Sequence, residues 1–226
     1  MDSVEDHPIL AVSATEAECA PTLREMDRRI AISPCLFSGT VQGQPIEVLL
    51  SGIGSVAATF RLTQTLMLRP YSRAIAIGIA GSFAEDVSIG ETVQITEDCF
   101  ADLGIDNNGQ FRNLREEGLS SDDFDSNFIA NPYPASSHHR KVRGVTVQTA
   151  SGSKTRIDEL VRRFQPQVET MENAAFFYVC HKLKVPFASF RAISNKVEPR
   201  NRKNWRIDEA IESVNESLAE LIAPPV

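Results

Sequence analysis

Long apolar runs are missing from this sequence, which argues against a protein that spans a membrane. No apolar stretch approaches the roughly 20 residues that a helix needs to cross a bilayer. The acidic start MDSVEDHPIL has no apolar core of the kind that secretory signals carry. We therefore expect a cytoplasmic protein without a membrane partner.

Basic residues are fewer than acidic residues. Lys and Arg number 23 against 30 Asp and Glu, which gives a net charge of −7. Proteins that bind nucleic acid need a basic surface to neutralise phosphates, so this balance argues against a nucleic-acid partner. It is typical of a protein that acts on a small molecule.

Paired cysteines are absent as well. The four cysteines show no CxxC spacing: Cys19, Cys35, Cys99 and Cys180. Zinc sites and disulfide frameworks usually show such spacing, so we predict reduced, buried thiols. His138 and His139 are adjacent but have no third ligand nearby, which favours a solvated loop over a metal site. The sequence predicts neither a metal nor a cofactor.

Apolar runs that alternate with helical segments make up most of the chain. With 226 residues, of which 42% are apolar and 23% charged, the composition is that of an ordinary globular protein. The predicted strands are ILAVSA (9–14), CLFSGTV, IEVLLSG, AIAIGIAG (74–81), ETVQIT, GVTVQTA and VPFASFRAIS. The predicted helices are SVAATFRLTQTLML (55–68), TRIDELVRRF, ENAAFFYVCHKL and the C-terminal WRIDEAIESVNESLAELI.

This alternation predicts an α/β fold in which a twisted, mixed and mostly parallel sheet is flanked by helices. CLFSGTV and IEVLLSG flank Gln42-Gly43-Gln44, which predicts a hairpin. Residues 102 to 141 lack apolar periodicity, and we interpret them as an irregular excursion within a single domain that spans residues 1–226.

Ligands of open α/β sheets bind beyond the carboxyl ends of the strands. The positions that follow the predicted strands are therefore the candidate site. They are residues 15–18, 51–54, 78–82, 149–152, 169–172 and 194–195.

Glu18 has two interpretations. Thr15 and Glu18 have the spacing of a helix capping box, but a box here would put Pro21 beyond the first turn, where proline is costly. A helix that begins nearer Glu18 suits Pro21 better and leaves the carboxylate at a strand-end pocket.

Two further segments are ambiguous taken separately. The glycine loop of SGIGSVAA predicts a tight turn or a substrate contact about equally, because GxG is common and the lysine of a P-loop is missing. Glu169 and Glu172 stand at a helix start, where the helix dipole favours acidic residues. A carboxylate there can also accept from two vicinal hydroxyls, with Met171 as an apolar surface for a sugar.

Taken together and in order, ATEAE, SGIGSVAA, GIAGSF with IGETV, VETMENAA and FRAISN resemble the purine nucleosidase and nucleoside phosphorylase superfamily. The pattern is nearest to the methylthioadenosine/adenosylhomocysteine nucleosidases, while the tail SNKVEPRNRKNWRIDEAI resembles the futalosine hydrolase branch, which serves menaquinone biosynthesis. The resemblance runs from Ile9 to about Ile222. It implies a nucleoside-phosphorylase-like fold and a homodimer, with a partner loop from residues 102 to 130 near the 5′ pocket.

The resemblance also implies roles for individual residues. Glu18 corresponds to the general base that activates water, Glu172 to the ligand of the ribose hydroxyls, and Met171 to a contact of the sugar. Asn195 stands where adenine-directed nucleosidases carry an aspartate that protonates purine N7. Further residues expected to contact a purine nucleoside are Ile53, Ile79, Ala80, Gly81, Ala150 and Ser194.

The amide at position 195 bears on which base is released. A 6-oxopurine presents two acceptors, N7 and O6, on one edge, whereas adenine pairs an acceptor with a donor. The NH₂ group of Asn195 can donate to the first edge, and futalosine carries hypoxanthine, a 6-oxopurine. An amide can also flip to suit adenine, and an isolated Asn at a strand end more often forms an Asx turn.

Ala76 and Ile79 favour water over phosphate as the nucleophile. Related phosphorylases carry an arginine and a serine or threonine at these places, and an apolar wall cannot solvate a dianion. Futalosine also has a benzoate-type carboxylate at its 5′ end. An arginine of the basic cluster at 200–206, such as Arg202, could bind it, with Trp205 packing on the ring.

The sequence thus favours an N-ribosyl hydrolase that releases hypoxanthine from futalosine. Three alternatives stay open: a methylthioadenosine/adenosylhomocysteine nucleosidase, a purine nucleoside phosphorylase, and a nucleoside-binding protein that has lost catalysis.

Overall fold

The structure, a computed structural model, describes residues 7–119, 128–132, 138–199 and 201–223. Within these residues the α helices are α1 (Glu16–Glu25), α2 (Ser55–Leu68), α3 (Lys154–Phe164), α4 (Asn173–Leu183) and α5 (Ile207–Ile222). The strands are β1 (Ile9–Ser13), β2 (Asp27–Ser33), β3 (Leu36–Val41), β4 (Gln44–Leu50), β5 (Arg73–Ala76), β6 (Ile79–Ser82), β7 (Thr92–Asp98), β8 (Gly104–Asn107), β9 (Gln110–Asn113), β10 (Ile129–Ala130), β11 (Arg140–Thr146), β12 (Val168–Thr170) and β13 (Phe187–Lys196).

One mixed sheet organises the molecule, in the order β10-β7-β11-β12-β6-β13-β5-β1-β4-β3-β2. Parallel pairs dominate its centre, and antiparallel pairs lie toward both ends. A further antiparallel pairing of β7 with β13 closes the strands β7, β11, β12, β6 and β13 into a ring. The α/β class with a central mixed sheet between helices is confirmed.

Local sequence explains several elements directly. The predicted hairpin is present: β3 and β4 are joined through Gln42 and Gly43, which both have positive φ, as tight turns between antiparallel strands require. Helix α2 has the predicted bounds and begins after Gly54, whose φ of 87° favours glycine. In the part of the chain that the structure describes, no helix has the length and apolar character needed to span a bilayer.

The apolar run 74–81 is not the single strand that its composition predicts. It divides into β5 and β6 around Ile77 and Gly78, and both pieces pair with the long strand β13. At the break, the backbone N–H of Ile79 donates to the Glu18 carboxylate over 3.2 Å. A Cβ atom at Gly78 would lie 2.9 Å from that carboxylate, so glycine permits the approach. At this break a side chain 61 residues away in sequence therefore accepts a backbone hydrogen bond from the strand.

Other differences arise where the sequence pattern is weak. Strand β11 lies at Arg140–Thr146, earlier than the predicted GVTVQTA at 144–150. The excursion at 102–141 contains the small hairpin of β8 and β9 together with β10. Strands β2 and β12 are additional: β2 is almost wholly exposed and β12 has three residues, so neither shows a clear apolar alternation.

Candidate active site

A cavity of about 420 Å³ lies at the carboxyl ends of the central strands. Its walls come from the segments that follow β1, β4, β11 and β12, from β6 and β13, and from the start of α5. Eleven residues singled out from the sequence line it: Glu18, Ile53, Ile79, Ala80, Gly81, Ala150, Met171, Glu172, Ser194, Asn195 and Trp205. The rule that ligands bind beyond strand ends thus locates this cavity.

Glu18 is both a helix-capping residue and a residue of the cavity, the two roles that the sequence presented as alternatives. Thr15 caps α1 and forms a complete capping box with Glu18, so the expectation that Pro21 would displace the helix start is wrong. One carboxylate oxygen, Oε2, accepts from the N–H and hydroxyl of Thr15 at 3.1 and 2.9 Å. The other, Oε1, reaches the N–H of Ile79 in the cavity wall. The cap therefore fixes the carboxylate at the site.

Glu172 is the N-cap residue of α4 and faces the glycine loop. Its Oε1 atom accepts from the N–H of Gly54 at 2.7 Å. Burial raises the pKa of the Glu172 carboxyl, while the Gly54 hydrogen bond and the Arg191 charge lower it. The glycine loop is thus a tight turn whose backbone holds Glu172, with Ile53 at the cavity mouth.

The Asn195 amide has a fixed orientation. Its Oδ1 atom accepts from the Ser194 hydroxyl at 2.8 Å, and its Nδ2 atom donates to the Lys196 carbonyl at 2.8 Å. A carbonyl oxygen can only accept, so a flipped amide would place two acceptors together. Asn195 therefore lines the cavity with its NH₂ group held in place, and one N–H of that group is not used by Lys196.

Arg191 is a site residue that the sequence reasoning missed. It is buried in β13, and together with Glu18 and Glu172 it lines a small cavity of about 10 Å³ behind the main one. Burial lowers the pKa of its guanidinium, while Glu172, Glu18 and Asp98 raise it. A charged residue within the apolar strand VPFASFRAIS was the available signal, because an arginine is buried almost only when it is paired.

Glu169 also lines the cavity, next to the loop that follows β11. Its carboxylate accepts from the N–H and the hydroxyl of Ser151 at 2.9 and 2.5 Å. Burial raises the pKa of Glu169, and the contacts from Ser151 lower it. Because both oxygens are occupied by Ser151, Glu169 holds this loop against β12.

The basic cluster lies differently from the expectation. Arg202 is exposed and does not line the cavity; its guanidinium is 5.8 Å from the ring centroid of Trp205, which does. Arg206 donates to the carbonyls of Lys203 and Trp205, and Arg200 lies outside the described residues. The cation in the wall is Lys196, whose Nζ donates to the carbonyls of Ala84 and Val87.

Among the residues that the structure describes, those that line the main cavity are strongly acidic. It contains four carboxylates and one lysine: Glu18, Glu169, Glu172, Glu198 and Lys196. The described residues hold no group of three His, Cys, Asp or Glu side chains arranged to bind a metal. Carboxylates that line a cavity in this way can transfer protons and bind hydroxyl groups.

Known proteins match this chain over most of its length. The pattern of the Phosphorylase superfamily matches residues 8–223. The chain is 29% identical over 198 residues to futalosine hydrolase from Thermus thermophilus, covering 81% of this chain and 84% of that protein. It is 28% identical over 198 residues to 5′-methylthioadenosine/S-adenosylhomocysteine nucleosidase from Anoxybacillus flavithermus, with 83% and 84% coverage. The native structure of futalosine hydrolase from Helicobacter pylori superposes with a TM-score of 0.82 at 20% identity, over 97% of this chain and 99% of that one.

Proposed function

The chain belongs to the Phosphorylase superfamily, and from that premise we propose that it hydrolyses the N-glycosidic bond of futalosine and releases hypoxanthine. The observation that carries the proposal is the convergence of Glu18, Glu172 and Asn195, from distant parts of the chain, on one cavity. Relatives named as futalosine hydrolases align over most of the chain. The other product, the sugar that carries the 5′ substituent, would then enter menaquinone biosynthesis.

Glu18 is the general base in this mechanism. Its carboxylate is held by Thr15 on one side and by the N–H of Ile79 on the other, so it has a defined direction in the cavity. A carboxylate placed in this way can take a proton from water as the water attacks the anomeric carbon.

Glu172 and Met171 bind the sugar. One oxygen of Glu172 is occupied by Gly54, and the carboxylate retains lone pairs for the ribose hydroxyls. Met171 lines the same wall and offers an apolar surface to the ring. Hydrogen bonds to the sugar hydroxyls that strengthen as the oxocarbenium ion develops also lower the barrier.

Asn195 stabilises the departing base. The leaving purine gathers negative charge, and a donor fixed at its edge lowers the energy of that state. The N–H of Asn195 that is not engaged by Lys196 supplies such a donor to N7 or O6 of a 6-oxopurine.

The 5′ end of the substrate lies against an apolar wall made by Trp205, Ile207 and Ile211. The aromatic ring of futalosine would pack there, and Arg202 beside Trp205 would receive its carboxylate. A second candidate follows from the same wall. Because Lys196 is committed to two backbone carbonyls, an uncharged methylthio group would also fit, as in a methylthioadenosine nucleosidase.

One assay separates these candidates. Purified protein is incubated with futalosine, methylthioadenosine and inosine, and the released base and sugar are identified. We expect hypoxanthine from futalosine at the highest kcat/KM. Cleavage of methylthioadenosine without cleavage of futalosine would establish the second candidate, and binding without any cleavage would indicate a nucleoside-binding protein.

Phosphate should have no part in the reaction. A phosphate dianion entering the cavity would meet four carboxylates and the apolar side chain of Ile79, and it would find Lys196 already engaged. We expect equal rates with phosphate and with chloride at matched ionic strength, and ribose products without phosphate. Detection of a ribose-1-phosphate product by mass spectrometry would assign the chain to the phosphorylases.

We further propose that the protein is a homodimer that uses the outer face of α2. Val56, Phe60 and Met67 lie on this face with 82%, 67% and 72% of their surface exposed. Large exposed apolar residues in one patch commonly mark an interface. The patch continues to Ile53 at the cavity mouth, so a partner molecule there would shape the entrance to the site.

Phe60→Glu is expected to convert the dimer into a monomer, because it places a charge in an apolar contact. Light scattering coupled to size exclusion measures the mass directly. Val161→Glu, which changes an exposed apolar residue of α3 in the same way, should leave the dimer intact. A monomeric wild-type protein, or dimeric Phe60→Glu, would contradict the interface.

A further inference from the structure

A chain of four buried polar side chains leads from Arg191 away from the cavity. Arg191 Nη1 donates to Ser189 Oγ at 3.2 Å, and Ser189 Oγ donates to Asn173 Oδ1 at 2.5 Å. Asn173 Nδ2 donates to Asp98 Oδ2 at 2.8 Å. Asn173, Ser189 and Asp98 are completely buried, and Arg191 is 5% exposed.

The direction of every hydrogen bond in this chain is determined by its two ends. A guanidinium has donors but no acceptor, so Ser189 must accept from Arg191 and give its own proton to Asn173. The oxygen of the Asn173 amide then faces Ser189, and its NH₂ group faces Asp98. Thr146 also donates to Asp98, at 2.9 Å, so the Asp98 carboxylate terminates the chain as an acceptor.

The two ends of the chain are buried groups of opposite charge type, the Arg191 guanidinium and the Asp98 carboxyl. The pKa of Asp98 is raised to about 7, because burial raises it by more than the hydrogen bonds from Asn173 and Thr146 and the Arg191 charge lower it. An uncompensated buried charge is strongly destabilising, which explains why a cation and an anion occur at opposite ends of a satisfied chain. Glu18 and Glu172 remain on the cavity side of Arg191.

The Arg191 end of the chain lies beside both carboxylates of the site, since Arg191, Glu18 and Glu172 line the same small cavity. A Cβ atom at Gly78 would lie 2.9 Å from Glu18 Oε1 and 3.6 Å from Arg191 Nε, so the carboxylate and the guanidinium flank this glycine. Asn173 is the first residue of α4 and directly follows Glu172. A shift of the chain would therefore displace Arg191 and also the start of the helix that carries Glu172.

We propose that Ser189, Asn173 and Asp98 are positioning residues: they hold Arg191 in place beside Glu18 and Glu172, and the rate of glycosidic cleavage depends on them. This inference rests on the proposed nucleosidase function. Arg191 lines a small cavity together with the two carboxylates, while the other three residues act through it and do not touch the substrate.

Ser189→Ala breaks the chain next to Arg191. We expect kcat to fall about 10–100-fold, the range that misplacement by about 1 Å can produce, with a much smaller change of KM. The acid limb of the pH profile, where kcat/KM falls as the pH decreases, should also move to higher pH. The positive charge of Arg191 lowers the pKa of Glu172, whereas the negative charge of Glu18 raises it. A less firmly held Arg191 therefore lets the pKa of Glu172 rise.

Ser217→Ala is the matched control. Ser217 is a buried serine of α5 whose hydroxyl donates to the Ser213 carbonyl and hydrogen-bonds with His139 Nε2, so it is not a member of the chain that holds Arg191. Both variants should lose a similar amount of thermal stability, but the control should keep the wild-type kcat and pH profile. Identical kcat values and acid limbs in the two variants would overturn the proposal. Failure of the wild-type protein to cleave any nucleoside would instead refute the proposed function.

Asp98→Asn tests the far end with a side chain of the same size. It removes the negative charge and one acceptor, so we expect a lower kcat and an acid limb shifted in the same direction as for Ser189→Ala. A folded Asp98→Asn enzyme with the wild-type kcat would contradict the positioning role of these hydrogen-bonded side chains. If circular dichroism shows that both variants are unfolded, the chain serves stability and the positioning role is wrong.

Discussion

Glu18→Gln is expected to remove most turnover while the protein still binds nucleoside. General-base catalysis contributes about 10²–10⁴-fold, and an amide cannot take the proton from the attacking water. Glutamine also cannot reproduce both contacts, because Oε1 and Oε2 each accept from a donor, at Ile79 and Thr15. Single-turnover kinetics with futalosine and calorimetric titration of the variant with futalosine measure the two effects separately.

Loss of the helix cap must be distinguished from loss of the base. Ser153→Ala removes the N-cap side chain of α3, which accepts from the N–H of Arg156, and should cost about 0.5–2 kcal/mol of stability, the usual effect of removing a cap. We expect this control to keep its turnover. If Glu18→Gln retained near-normal turnover with only the stability loss of the control, Glu18 would be a capping residue without a catalytic role.

Asn195→Asp is expected to shift the preference among leaving groups from hypoxanthine toward adenine. An ionised carboxylate repels the doubly accepting edge of hypoxanthine, so futalosine cleavage should fall near neutral pH. A protonated carboxyl can donate to N7 of adenine and accept from its amino group. The rate with methylthioadenosine relative to futalosine should therefore rise. The expected change in discrimination is about 1–3 kcal/mol, the free energy that one paired contact with a base edge contributes.

The surroundings of residue 195 give this prediction a pH dependence. The Lys196 carbonyl, which accepts from the amide in the wild-type protein, would face a carboxylate oxygen in the variant. That contact favours the protonated form, and the gain with adenine nucleosides should fade as rising pH ionises the carboxyl. A competition assay across pH measures the ratio directly.

Asn195→Ala serves as the reference, because it removes the donor without adding a charge. We expect it to slow both substrates and to give a smaller change of preference than aspartate does. An unchanged ratio of futalosine to methylthioadenosine cleavage in Asn195→Asp would show that this side chain does not contact the purine edge.

Local patterns in the sequence determine much of the fold. The apolar spacing of 55–68 predicts α2 with its bounds, since a helix buries residues at every third or fourth position. Gln42 and Gly43 predict the hairpin because positive φ at both positions suits a tight turn. The position of the cavity follows as well, because strand ends at one edge of a sheet bring residues such as Glu18, Glu172 and Asn195 together.

Tertiary structure decides which partner each polar group finds. Glu18 accepts from Ile79 at the point where the apolar run 74–81 divides into two strands, and no local pattern encodes a hydrogen bond across 61 residues. The Lys196 carbonyl fixes the direction of the Asn195 amide, which the sequence leaves free to flip. Asp98 lies 75 residues from Asn173 in sequence, yet it completes the buried chain that ends at Arg191. Periodicity records which face of an element is buried, whereas the pairing of buried charges depends on elements that meet only in the folded protein.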